Sequence, residues 1–253
     1  MVKTVHLILQ GKGGVGKSLT SSMLAQYLKA SGKAVVAIDT DPTNATFASI
    51  RALDATHIQI MEEGEINPRH FDVLMSEVFE APDVSHVVID TGATCFIALC
   101  SYLAQNHAMN MLQDDGARVI IHTPICGGAA FDDTLSGLVS ILEHFPTVPV
   151  VVWQNEYFGP VERDGRGFQD SRIFEEHAER IIAILRHKKV HAQTYGEDVR
   201  QMMALKLSFQ EAFVSSEFNI MARQRLKLVW RSFEEQMAAA DFLTDDTVLE
   251  ADA

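Results

Sequence analysis

The chain has 253 residues, 47% of them hydrophobic and 22% charged, and its 34 acids against 21 lysines and arginines give a formal net charge of -13. That length supplies a core large enough to fold without staples and excludes a disordered, collagen-like or disulfide-framework protein. The negative balance excludes a surface that is everywhere a nucleic-acid glove, although one local basic patch stays open.

Three cysteines, Cys95, Cys100 and Cys126, point to a reducing compartment. The apolar run at the N-terminus is too short for a signal segment, and no stretch reaches the roughly 18 apolar residues of a spanning helix. A cytoplasmic protein without stable membrane insertion is expected.

Val5 to Leu9 reads as a strand that runs into the glycine-rich segment Gly11 to Gly16. Met23, Leu24, Tyr27 and Leu28 then recur at helical spacing up to a stop at Ser31-Gly32. Further short apolar runs follow at Ala34 to Ile38, Val87 to Ile89, Val119 to Ile121 and Val148 to Trp153. Nearly continuous apolar runs separated by helical patterns are what parallel strands buried on both faces look like. The expected fold is α/β: a mostly parallel twisted sheet of at least five strands with helices on both faces.

Tyr157 to Gly167 is the longest irregular segment and a candidate loop over a site. Apolar residues at 218, 222, 226, 229, 230, 233 and 237 mark a long amphipathic final helix. One domain over residues 1–240 is expected. Asp241 to Ala253, with five acids and no base, reads as a solvated acidic tail.

Gly11, Lys12, Gly13, Gly14, Val15, Gly16, Lys17 and Ser18 fit G-x-x-x-x-G-K-[ST] at every fixed position, between a strand and a helix. Glycines let the backbone curl so that successive N–H groups, on to Leu19, point at phosphate oxygens, and the helix dipole favours the same anion. In this pattern Lys17 reaches the β- and γ-phosphates and Ser18 ligates Mg2+. The expected cofactors are ATP and Mg2+.

Asp39-Thr40-Asp41-Pro42 follows the second strand, at the end where open α/β sheets bind ligands. Asp90-Thr91-Gly92 follows the third, with an acid placed to hold a metal-bound water and a glycine that lets the backbone approach a phosphate. Asp90 can equally be a structural acid at a strand end. Asn155, after the fifth run, offers a donor and an acceptor together and can simply cap its strand.

Lys12 makes the loop K-G-G-x-G-K-[ST], which resembles the deviant phosphate loop of the ParA/MinD ATPases. The resemblance implies that Lys12 crosses a dimer interface to the phosphates held by the partner, in the manner of an arginine finger. It also implies that Asp41, in the D-x-D-P segment, lies near the metal and orients the attacking water. Asn155 resembles an Asn that the ParA/MinD ATPases place after a comparable strand, which implies a bond to the adenine edge. Thr43-Asn44 is one residue shorter than the family's Gln-Gly-Asn, with Asn44 at the Asn position. Cys126-Gly127-Gly128 resembles the cluster cysteine of nitrogenase iron proteins, but no cysteine precedes Asp90, and no cluster is expected.

Over residues 6 to about 229 the chain resembles the TraL proteins of conjugative plasmids, a branch of the same group, through HLILQGKGGVGKS, IDTDPTNATF, VVWQNEYFGP, TYGEDVRQMM with LSFQEA, and RQRLKLV. The function this implies is an ATP-dependent dimerisation switch with weak, partner-dependent ATPase activity. It would position or regulate conjugal transfer machinery as a homodimer, with relaxosome or secretion-channel proteins as partners. Three other readings stay open: a DNA-coating positioning ATPase, an ATP sensor without turnover, and a small-molecule kinase with its acceptor pocket under Tyr157 to Gly167. Arg223, Lys227 and Arg231 share a helix face that could meet DNA phosphates, an acidic partner, or only solvent.

Overall fold

The computed structural model describes residues 2–189 and 191–243. The chain opens with β1 (Thr4–Ile8), α1 (Lys17–Ala30), β2 (Val35–Asp39) and a two-residue β3 (Thr56–His57). A small hairpin, β4 (Met61–Glu62) with β5 (Glu65–Ile66), precedes α2 (His70–Glu80) and β6 (His86–Asp90). Then come α3 (Phe96–Gln105), α4 (Ala108–Asp114), β7 (Arg118–Cys126), α5 (Phe131–His144) and β8 (Val150–Asn155). A second hairpin, β9 (Glu162–Arg163) with β10 (Arg166–Gly167), leads to α6 (Arg172–His177) and β11 (Ile181–His187). The last elements among the described residues are α7 (Glu197–Ala204), α8 (Phe209–Ala212) and α9 (Ile220–Ala240).

Seven strands form one parallel sheet in the order β11-β8-β7-β1-β6-β2-β3. Strand order reverses at β1, so the loop after β1 opens into the crevice at the carboxyl ends, between β6 and β7. The sheet's alternating side chains feed two cores, as parallel strands covered on both faces require. Val5, Leu7, Val87, Ile89, Val119 and Ile121 pack against α2 to α6. Ile8, Val88, Ile120, Val151 and Trp153 pack against α1, α7, α8 and α9.

Two strands go beyond the five expected. β3 is too short to leave a pattern. β11 carries the run Ile181 to Leu185, but it follows α6 so closely that the segment reads as a continuing helix. The apolar stripe of α9 is buried where expected, at Ala222, Leu226, Trp230, Phe233 and Met237. One correction concerns the tail: Phe242 is buried, with its ring edge-on to His122, because Asp241 turns the chain back in a left-handed conformation (φ 50°). The remaining tail residues, 244–253, lie outside the described residues.

The second core contains a hydrogen-bonded row that crosses four strands. The Trp153 indole donates to His122 Nδ1 at 3.1 Å, His122 Nε2 meets His6 Nδ1 at 2.9 Å, and His6 Nε2 meets His86 Nδ1 at 3.0 Å. An indole can only donate, so it fixes the direction of the row. His122, and then His6, must each carry its single proton on Nε2. A second proton on either ring would set two donors face to face. Burial likewise pushes His6 well below the ordinary histidine range and His122 down to about 3.

Gly127 and Gly128 owe their place to a crossing of backbones. A Cβ on Gly127 would lie 2.2 Å from the carbonyl oxygens of both Gly159 and Pro160, and Gly128 (φ 65°) would press on Phe158 O. The expected irregular loop is therefore strapped across this glycine pair, and its hairpin is pinned by an Arg163–Asp132 ion pair.

Candidate functional site

A cavity of about 860 Å3 opens where the loop after β1 meets α1. Gly14 (φ 73°) and Gly16 (φ 98°) take left-handed conformations that a side chain would strain, and Gly16 caps α1 with no side-chain bond. Among the described residues, no backbone N–H from Gly13 to Leu19 donates to a backbone carbonyl; the first to do so is Thr20, to Gly16 O at 2.9 Å. A run of unspent donors at a helix start is an anion cradle.

Lys17 is 7% exposed and donates to Lys12 O across the loop at 3.1 Å. Burial lowers its pKa, opposed by the charges of Asp90 and Asp41. The charges of both acids thus act on the ammonium. Lys12 behaves differently: its Nζ reaches Asp133 at the start of α5, at 2.7 Å, and it does not line the cavity.

Asp90 is fully buried, and Ser21 donates to its Oδ1 at 2.7 Å. Among the described residues no group bonds its buried Oδ2, and desolvation pushes the carboxyl pKa up to about 7, countered by the hydroxyl of Ser18. An orphaned carboxylate oxygen beneath the anion cradle, acted on by a serine of that cradle, fits a divalent cation and its bound waters, with Ser18, Asp90 and Asp41 as the groups that would hold them. Asp39 is occupied elsewhere: it accepts from Asp41 N and Ala48 N, both at 2.9 Å, and so shapes the 40–48 loop.

Asp41 Oδ1 accepts from Thr43 N at 2.9 Å and Asn44 N at 3.2 Å. The shortened Thr43-Asn44 segment therefore forms a turn around this carboxylate. Gly92 lies flat against it, since a Cβ there would come within 2.8 Å of Asp41 Oδ1 and 2.9 Å of Pro42 Cδ. Thr40 N and Oγ1 both bond Asp90 O, at 2.9 and 3.0 Å, and this joins the two acidic segments.

Asn155 lines the cavity, and its bonds fit one of its two expected roles, a cap at the strand end. Its Nδ2 donates to Val15 O at 2.9 Å and its Oδ1 accepts from Tyr157 N at 3.0 Å. With 6% exposure and one bond at each end of the amide, it props the phosphate loop. The far end of the cavity is lined by residues that sequence reasoning left without a role: Trp153, His187, Tyr195, Arg200, Met203 and Phe233. Three of them lie in or beside TYGEDVRQMM, whose chemistry is thereby placed at the cavity wall. Trp153 stacks on His187 (ring centroids 5.2 Å apart), and burial lowers the His187 pKa to about 4.

The thiols of Cys95 and Cys126 adjoin the site but are buried, donating to Gly92 O and Val15 O. Burial raises both pKa values to about 11, which keeps them protonated. Among the described residues no helix is long and apolar enough to cross a membrane.

The family model of the CobQ/CobB/MinD/ParA nucleotide binding domain matches residues 6–221. Two proteins named Protein TraL, from Escherichia coli, are 40% and 39% identical over 240 residues, covering 94% of this chain and 99% of theirs. The fold is similar to that of the MinD cell division protein of Aquifex aeolicus in complex with MinC. The TM-score is 0.54 at 13% identity, over 90% of this chain and 94% of that one. The cradle, its two acidic segments and this coverage agree, and the chain belongs to the CobQ/CobB/MinD/ParA nucleotide-binding family, similar along nearly its whole length to the TraL proteins.

Proposed function

We propose that the chain is an ATP-dependent dimerisation switch. ATP binds with Mg2+ in the 11–18 loop, two copies close face to face, and slow hydrolysis reopens them. Bound Mg2+ would neutralise phosphate charge. Lys17 would hold the β- and γ-phosphates, Asp41 would orient the attacking water, and Asp90 would hold a metal-bound water. Lys12 of each copy supplies a cation to the phosphates held by the other. Similarity to the TraL proteins supports a role in conjugal transfer, acting on relaxosome or secretion-channel proteins.

The observation that carries this reading is the division of labour between the two lysines. Lys17 is turned into its own cavity, whereas Lys12 is 44% exposed and held outside it by Asp133. An ion pair this exposed is worth about 1 kcal/mol or less, so it exchanges readily for a phosphate. Light-scattering mass with ATP and Mg2+, using Asp41→Ala to trap the closed form, tests the switch. The 28.0 kDa monomer should double in mass. Adding Lys12→Ala should keep nucleotide binding but leave a monomer. A Lys12→Ala protein that dimerises and hydrolyses ATP like the wild type would sink the reading.

A further inference from the structure

We infer that the corner where α8 meets α9 is a docking surface for an acidic, amphipathic helix of a partner protein. Three apolar side chains here face solvent: Val214 (78% exposed), Ile220 (78%) and Met221 (58%). They cannot serve the second core, because α9 buries its opposite stripe there, through Ala222, Leu226 and Trp230. A groove of about 460 Å3 beside Ile220 and Met221 is lined by these two with Phe213, Arg223, Gln224 and Lys227. It has room for a few side chains, and its floor is apolar.

The charge around the groove runs against that of the molecule. Residues 218–233 carry four cations and no acid, in a chain whose net charge is -13. Arg225 is spent on Asp198, at 2.5 Å. Among the described residues Arg223, Lys227 and Arg231 bond no carboxylate. Arg223 gives its Nε to Phe218 O (2.9 Å), and Lys227 lies over the Phe213 ring (5.9 Å to its centroid). The cations therefore stand beside the apolar floor with charge to offer.

This mixture selects the partner. A nucleic acid would satisfy the cations but leave Ile220 and Met221 in water. A helix with apolar residues at i, i+3 or i+4 and i+7, and carboxylates beside them, covers the floor and meets Arg223 and Lys227 together. The residues lining this groove and those lining the nucleotide cavity do not overlap.

The test is fluorescence anisotropy with a labelled helical peptide of leucines at that spacing and glutamates elsewhere, titrated with the full chain. The peptide should bind. Met221→Ser and Lys227→Glu should each weaken it at least about tenfold, and both variants should still bind ATP. Replacing the glutamates by glutamines should weaken binding to the wild type but not to Lys227→Glu. No binding, or binding indifferent to both substitutions, overturns the inference. So does a short DNA duplex that binds through Lys227 where the peptide does not, a mass change showing that a second copy fills the groove, or peptide binding that appears only after residues 244–253 are removed.

Discussion

The two ends of the cavity are built on different principles. At the phosphate end the ligand-facing groups are backbone N–H donors on consecutive residues, held by glycines at Gly14 and Gly16 and finished by one inward lysine. At the far end they are side chains brought from β8, β11, α7 and α9, such as Trp153, His187, Arg200 and Phe233. A wall of backbone demands fixed residues at fixed spacing. A wall of side chains from distant elements demands only shapes that pack. The first is therefore intolerant of substitution one residue at a time, and the second is adjustable.

Substitution at the phosphate end should do the greatest damage. Gly16→Val forces a branched residue into φ 98° and presses its Cβ within 3.0 Å of the Asn155 amide. Strain of about 3 kcal/mol corresponds to a loss of nucleotide affinity of roughly a hundredfold, measurable by calorimetry. Near-normal affinity would show that the loop is as adjustable as the far wall.

Asn155→Ala sharpens the boundary between the ends. The side chain props Val15 O, so its loss should weaken ATP and GTP alike, by about tenfold for one buried hydrogen bond. Weakening of ATP alone would return Asn155 to the base-reading role.

A further prediction concerns the buried histidines behind the far wall. His6, His122 and His187 have lowered pKa values in the folded chain, so the unfolded chain binds more protons below about 6.5. Stability is then full above that pH and falls as the pH drops towards the folded values of about 3 to 4. Each histidine contributes roughly 1 kcal/mol per pH unit. Urea midpoints between pH 7 and 5 should show this slope, and His6→Gln should flatten it by one proton. An unchanged slope would mean that His6 is no part of a neutral row.

The same contrast explains what could be read in the sequence. Residues 11–18, the acids at 41 and 90 and the parallel sheet were legible, because each is a local pattern tied to a strand end. Asn155 sits where expected, but its partners Val15 and Tyr157 are fixed by folding, not by spacing. His6, His86 and His122 are 116 residues apart at the extremes, and nothing in their spacing foretells one row. The short strand β3 and the run of β11 directly behind α6 were hidden for the reasons of length and neighbourhood given above. The glycines of Cys126-Gly127-Gly128 are legible only once Gly159 and Pro160 are known to cross them.

Phe242 gives the end of α9 a duty quite apart from the helix it follows. Its ring closes over His122, so the last described turn of the chain is a stopper that keeps water from the histidine row. A protein shortened to residue 241 would lose no charge from the sheet and no group from the phosphate loop. It would nevertheless let water reach an imidazole built to stay neutral, and its defect would surface as sensitivity to mild acid. The trimmed end and the wetted interior would be about twenty α9 residues away from the turn where that helix begins.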